Sequence, residues 1–134
     1  MAATILIADD YADNRELLRL LLNTADYEVR EARDGAECVK MAREDAPDLI
    51  LVDLSMPGLD GWGVMRALQN DPRTSDLACV AVTAHACFDS SRLLKAGFAG
   101  FLSKPFRSED LFELVGRLVS RRAAKTKGTA AGSA

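Results

Sequence analysis

Residues 48–53 read Asp48-Leu49-Ile50-Leu51-Val52-Asp53, and the chain then turns through Ser55-Met56-Pro57-Gly58-Leu59-Asp60-Gly61. A short unbroken apolar run with polar ends is the pattern of a strand covered on both faces, as in a parallel sheet. Asp53 closes the run and sets a carboxylate at its carboxyl end. The same arrangement recurs three times. Asp9-Asp10 follows Thr4-Ile5-Leu6-Ile7-Ala8, Thr83 follows Cys79-Val80-Ala81-Val82, and Lys104-Pro105 follows Gly100-Phe101-Leu102-Ser103.

Helix-period segments separate these runs. Residues 12–25 predict a helix with Leu17, Leu18, Leu21 and Leu22 on one face and Arg15 and Arg19 outside. Tyr27-Glu28-Val29-Arg30-Glu31 alternates and predicts a half-exposed edge strand. Asp34-Gly35 leads into a helix over 36–45, closed by Pro47. Asp60 suits the N-cap of a helix carrying Val64, Met65 and Leu68, and 70–74 is a loop. A short helix near 88–96 stops at Gly97, and residues 100–104 form the fifth strand. The last helix starts after Pro105 with Ser108 as its cap, and Leu111, Phe112, Leu114, Val115, Leu118 and Val119 give it a broad apolar face. Five strands alternating with five helices predict an α/β fold, a parallel sheet with helices on both sides. In such open sheets the ligand site lies beyond the carboxyl ends of the strands, where the strand order reverses. That rule gathers Asp9, Asp10, Asp53, Thr83 and Lys104 into one crevice.

Bulk properties fit a single domain. The chain has 134 residues, 49% of them hydrophobic, enough to bury a core without disulfides or structural metal. The domain is expected over 1–122, and the Ala-Ala-Lys-Thr-Lys-Gly-Thr-Ala-Ala-Gly-Ser-Ala stretch at 123–134 is expected to be a disordered tail. With a tail of that length, no DNA-binding output domain is expected. The net charge of −3 gives no electrostatic reason to bind nucleic acid. Cys38, Cys79 and Cys87 contain no C-x-x-C pair and are odd in number, which suits reduced thiols in a cytoplasmic protein. No signal peptide and no bilayer-length apolar run is visible, so no membrane insertion is expected.

The residue types define the chemistry. Mg²⁺ takes oxygen ligands and keeps several waters, so one or two carboxylates suffice. Three crowded carboxylates repel one another, and a cation relieves that repulsion. A carboxylate can also attack phosphorus to give an acyl phosphate. Phosphoryl transfer spreads charge over equatorial oxygens, so positioning and electrostatics dominate its catalysis. Lys104 supplies a compact positive charge, Thr83 a hydroxyl donor, and the small Ala84 leaves room for the group.

Asp9-Asp10, Asp53 with Met56-Pro57 and Asp60-Gly61, Thr83-Ala84 and Lys104-Pro105 together resemble the receiver domains of two-component response regulators, in particular the single-domain chemotaxis type. The resemblance covers residues 4 to about 122. It implies a flavodoxin-like, doubly wound five-stranded parallel sheet of order 2-1-3-4-5 with five helices. It also implies that Asp53 is the phospho-acceptor, assisted by Lys104 and Thr83. Mg²⁺, with Mn²⁺ as a substitute, would be held by Asp9, Asp10, Asp53 and the backbone carbonyl of Ser55. Thr83 and Phe101 would be the switch pair, Ser55 and His85 would tune the lifetime of the phosphoryl group, and the Lys104–Pro105 bond would be cis. The donor would be a phosphohistidine on a sensor histidine kinase or a histidine phosphotransfer protein, docking on the first helix and the loop after Lys104. The surface formed by residues 88–96, the fifth strand and the last helix would meet a downstream protein or a second copy in a phosphorylation-linked homodimer. Such a module is not an enzyme, beyond assisting its own phosphotransfer and slow autodephosphorylation.

Other readings stay open on the residues alone. Asp9 and Asp10 suit capping of the first helix, Asp53 a solvated strand end, Thr83 an ordinary strand residue, Lys104 a surface charge and Phe101 a core aromatic. A phosphatase with an aspartate nucleophile normally needs a second Asp where Ser55 stands. An FMN carrier needs a Ser/Thr/Gly phosphate cradle where this chain has Asp9-Asp10-Tyr11-Ala12-Asp13. A non-phosphorylated receiver-like interaction module, and a receiver fragment of a larger hybrid kinase or regulator, remain alternatives.

Overall fold

The computed structural model describes residues 2–84 and 90–133, with side chains through Arg121. The elements run β1 (Thr4–Ala8), α1 (Ala12–Thr24), β2 (Glu28–Ala32), α2 (Gly35–Glu44), β3 (Leu49–Asp53), α3 (Gly61–Gln69), β4 (Cys79–Thr83), α4 (Ser90–Lys95), β5 (Gly100–Ser103) and α5 (Ser108–Ser133). All strand pairs are parallel, in the order β2-β1-β3-β4-β5. The fold class and strand order are those expected from the sequence.

Period-two alternation sorts each central strand onto two cores. Leu6, Ala8, Ile50, Val52, Cys79 and Ala81 pack with Val39 and Ala42 of α2, Val64 and Leu68 of α3, and Leu93 of α4. Ile5, Ile7, Leu49, Leu51, Val80 and Val82 pack with Leu18 and Leu22 of α1 and Leu111 and Val115 of α5. Every residue of β3 and β4 is therefore buried, which explains their unbroken apolar sequences. The edge strand β2 is mostly half-exposed, as its alternation predicts. Cys38 and Cys79 are buried free thiols, and burial, with the nearby Asp34 carboxylate, pushes the Cys38 thiol up to about 12.

The helix ends follow local rules. The side chains of Asp34 and Asp60 accept hydrogen bonds from the amides of Glu37 and Gly63, capping α2 and α3. Gly97, at φ +104°, ends the α4 segment in a conformation that glycine adopts without strain. Ser108 proves to be the first residue of α5 rather than its cap, because the carbonyl of Arg107 already accepts the amide of Leu111. The backbone of α5 continues to Ser133, past the point where the apolar pattern ends. Among the described residues, no helix is long and apolar enough to cross a membrane.

Candidate functional site

Strand register delivers the polar residues to one edge. Ala8 lies beside Val52, so Asp9, the next residue, stands beside Asp53. Asp53 lies beside Val82 and Thr83 beside Ser103, which sets Lys104 at the same level. Two backbone bonds beyond the strands extend this alignment: the amide of Leu54 donates to the carbonyl of Val82 at 3.1 Å, and the amide of Lys104 to the carbonyl of Thr83 at 2.7 Å. The site thus sits where β1 has β2 on one side and β3 on the other, the point at which the strand order reverses.

Asp9 (1% exposed), Asp53 (6%) and Thr83 (2%) are buried polar residues. Among the described residues, one group of three potential metal ligands is found: Asp9, Asp10 and Asp53, whose ligand oxygens lie within 4.8 Å of one another. Lys104 Nζ lies 3.2 Å from Asp9 Oδ2 and 3.5 Å from Asp53 Oδ2, bridging the two carboxylates. Their other oxygens accept local amides, Asp9 Oδ1 from Tyr11 and Asp53 Oδ1 from Ser55, each at 2.9 Å. Asp10 Oδ1 differs: it is buried and has no hydrogen-bond partner. Such an orphan is costly unless something outside the chain satisfies it.

The helix-capping alternative does not describe these aspartates. The N-cap of α1 is Tyr11, and it makes no side-chain capping bond. The Lys104–Pro105 peptide bond is cis. Ser55 is exposed just past β3, with its amide held by Asp53. Phe101 is 42% exposed, so this strand aromatic is not a core residue. His85 falls outside the described residues. Beside Lys104, a cavity of about 390 Å³ is lined by Asn14, Leu17, Leu18, Leu21, Pro105 and Phe106. Leu17, expected to be packed, is 53% exposed at this groove, whereas Leu18 and Leu22 are buried with residues of α5.

One site residue escaped the sequence reading. Arg15 was expected outside, yet its side chain is only 12% exposed and Nη1 donates to the carbonyl of Asp9 at 2.6 Å. Its partner Glu31, at the end of β2, is the complementary charge that could have signalled the contact.

Comparison with known proteins gives a family match and similar folds. The family model described as the response regulator receiver domain matches residues 5–116. The response regulator PleD of Caulobacter vibrioides is 41% identical over 116 residues, covering 86% of this chain and 26% of PleD, so the chain spans about a quarter of that relative's length. The polar-differentiation response regulator DivK of Brucella anthropi is 33% identical over 116 residues, covering 86% of this chain and 94% of DivK. Among solved structures, the receiver domain of the sensor histidine kinase PA1611 from Pseudomonas aeruginosa, which has a magnesium ion coordinated in its active-site cleft, superposes with a TM-score of 0.82 at 27% identity, covering 90% of this chain and 99% of that one.

Proposed function

The chain belongs to the response regulator receiver domain family of two-component systems, and from that premise we propose that it is a phosphorylation-dependent signalling module that accepts a phosphoryl group on Asp53. Phosphorylation-dependent signalling is the general function of this family. The observation that carries the specific reading is the convergence at one sheet edge of three carboxylates within 4.8 Å and an ammonium that bridges two of them.

The donor set suits a hard divalent cation: it is all carboxylate oxygen, and the orphaned Asp10 Oδ1 lacks the partner that a cation would supply. Mg²⁺, or Mn²⁺ in its place, is assigned to Asp9, Asp10, Asp53 and the backbone carbonyl of Ser55, where it would neutralise charge on the phosphoryl oxygens. A carboxylate oxygen of Asp53 attacks the phosphorus of a phosphohistidine. The P–N bond breaks, its electron pair stays on the imidazole nitrogen, and an acyl phosphate remains on Asp53. Lys104 holds positive charge beside the transferring oxygens, and the Thr83 hydroxyl donates to one of them. Thr83 and Phe101 form the switch, the exposed ring turning inward as Thr83 moves. Ser55 and His85 are assigned the tuning of the lifetime of the modified state.

The surface supports the docking reading. The apolar groove between α1 and the segment after Lys104 opens beside the acidic residues, which suits a helix carrying the phosphohistidine of a sensor kinase or phosphotransfer protein. Leu94 (60% exposed) and Phe101 offer an apolar surface on α4 and β5 for a downstream protein or a second copy. We assign the signalling unit to residues 1–122, with 123–134 as a tail outside it, in a cytoplasmic protein that assists its own phosphotransfer and slow autodephosphorylation without being an enzyme on other substrates. Incubation with phosphoramidate should add one phosphoryl mass to the intact protein when Mg²⁺ is present. Asp53→Asn and metal-free controls should show no gain; equal labelling of Asp53→Asn would overturn the assignment.

A further inference from the structure

Outside the acidic hollow, a chain of charged groups, Arg19–Glu31–Arg15, ends on the peptide that links Asp9 to Asp10. Arg15, in the first turns of α1, donates from Nη1 to the Asp9 carbonyl at 2.6 Å and from Nε to Glu31 Oε1 at 3.3 Å. Arg19, one turn further along α1, lies 3.8 Å from the other oxygen of Glu31. On the amide side, Asp9 donates its backbone N–H to the carbonyl of Ala32 on β2, at 3.2 Å. The Asp9 residue is thus held at both its amide and its carbonyl, in each case through the end of β2.

This fixation has a mechanical consequence. The Asp9 carbonyl belongs to the peptide plane whose nitrogen is that of Asp10, so rotation of that plane swings the Asp10 side chain. Asp10 has little else to hold it: Oδ1 is buried and unpartnered, and neighbouring carboxylates repel it. No side chain caps α1, and the local bond in the turn from β1, the Tyr11 amide donating to Asp9 Oδ1, holds the Asp9 side chain and not that of Asp10. A guanidinium can make two directional bonds at once, which a single ammonium cannot. Its side chain, 12% exposed, is shielded from the water that would compete for those bonds.

We propose that Arg15 is a positioning residue, which together with Glu31 fixes the Asp9–Asp10 peptide and so aims the Asp10 carboxylate into the cation site. The inference rests on the acidic hollow being the metal site proposed above. Arg15 touches neither phosphoryl group nor metal; it acts through the backbone, as partners behind metal ligands commonly do.

The test uses the full chain, ¹⁵N-labelled, first in EDTA and then titrated with MgCl₂. Arg15→Met keeps the aliphatic stem and loses the fork. Glu31→Gln loosens the fork's anchor more mildly. The double variant Arg15→Met/Glu31→Gln preserves net charge, and Arg30→Met, which breaks the distant pair with Asp45, is the control. Arg15→Met and the double variant should each weaken Mg²⁺ binding about 10-fold, Glu31→Gln less, and Arg30→Met not at all. The Asp10 amide resonance should shift or broaden in both Arg15→Met proteins already in EDTA. An unmoved Asp10 amide in EDTA overturns the inference. So does wild-type affinity in the double variant, because the effect of Arg15 would then be net charge alone. If the wild type itself binds no Mg²⁺, the metal assignment fails instead, and the EDTA spectra still decide whether Arg15 positions the peptide. If Arg15→Met does not fold, the milder Glu31→Gln carries the same spectral comparison.

Discussion

Asp10 Oδ1 is buried without a partner, whereas the carboxylates of Asp9 and Asp53 are satisfied by amides and by Lys104. In the metal-free protein Asp10 is therefore a source of instability, and Asp10→Ala should stabilise it by about 1–3 kcal/mol. Urea melts in EDTA would measure this, and the same variant should lose the rise in Tm that Mg²⁺ gives the wild type. A destabilised Asp10→Ala would contradict the orphan reading. Lys104→Met should act in the opposite direction. It strips the cation from the buried Asp9 and should cost about 1–3 kcal/mol without metal, with part of the loss recovered on adding Mg²⁺. At this scale the carboxylates and the lysine were legible in the sequence because each ends an apolar run. Arg15 was not, because helical periodicity places it on the polar side of α1 and says nothing about a carbonyl waiting there.

Between β3 and α3 the chain returns tightly on itself. A Cβ on Gly61 would stand 2.8 Å from both the carbonyl oxygen of Asp53 and the Cα of Leu54, so the backbone leading out of the acceptor strand would have to move. Gly61→Ala should cost about 1–3 kcal/mol by overpacking and slow phosphorylation of Asp53 by phosphoramidate; wild-type rate and stability together would refute the close approach. On the α4 side, Arg92 lies 5.0 Å from the ring centroid of Trp62, which meets Phe98 edge-on at 5.7 Å. Trp62 is the single tryptophan, so Arg92→Ala should change its emission while costing only about 0.5–1 kcal/mol. Strands and capped helices could be read from the sequence, since runs, Asp34 and Asp60 act locally. The exposure of Leu17 and Leu20 could not. α1 is leucine-rich around much of its circumference, and which leucines are covered depends on where α5 and the segment after Lys104 lie against it.

Across the molecule, the parallel sheet and its order follow from alternation and the resemblance, and the edge at which the site forms follows from the order reversal between β1 and β3. One stabilising contact far from that edge gives a pH signature. Asp71 takes hydrogen bonds from Arg73 and pairs with Arg43 of α2, and these hold its carboxyl down at about 2. A depressed folded-state value means that unfolding takes up a proton, so this contribution is complete above the ordinary carboxylate value near ~3.9 and lost as pH falls through about 2. Asp71→Asn should therefore flatten the acid limb of the stability profile in that window, as followed by circular dichroism; an unchanged limb would count against the contact. The central claim concerns where the phosphoryl group goes. After phosphoramidate and Mg²⁺ treatment, borohydride reduction and peptide mass mapping should locate a reduced side chain at Asp53 alone. Reduction at Asp9 or Asp10 instead, or none at Asp53 in phosphorylated protein, would contradict the account.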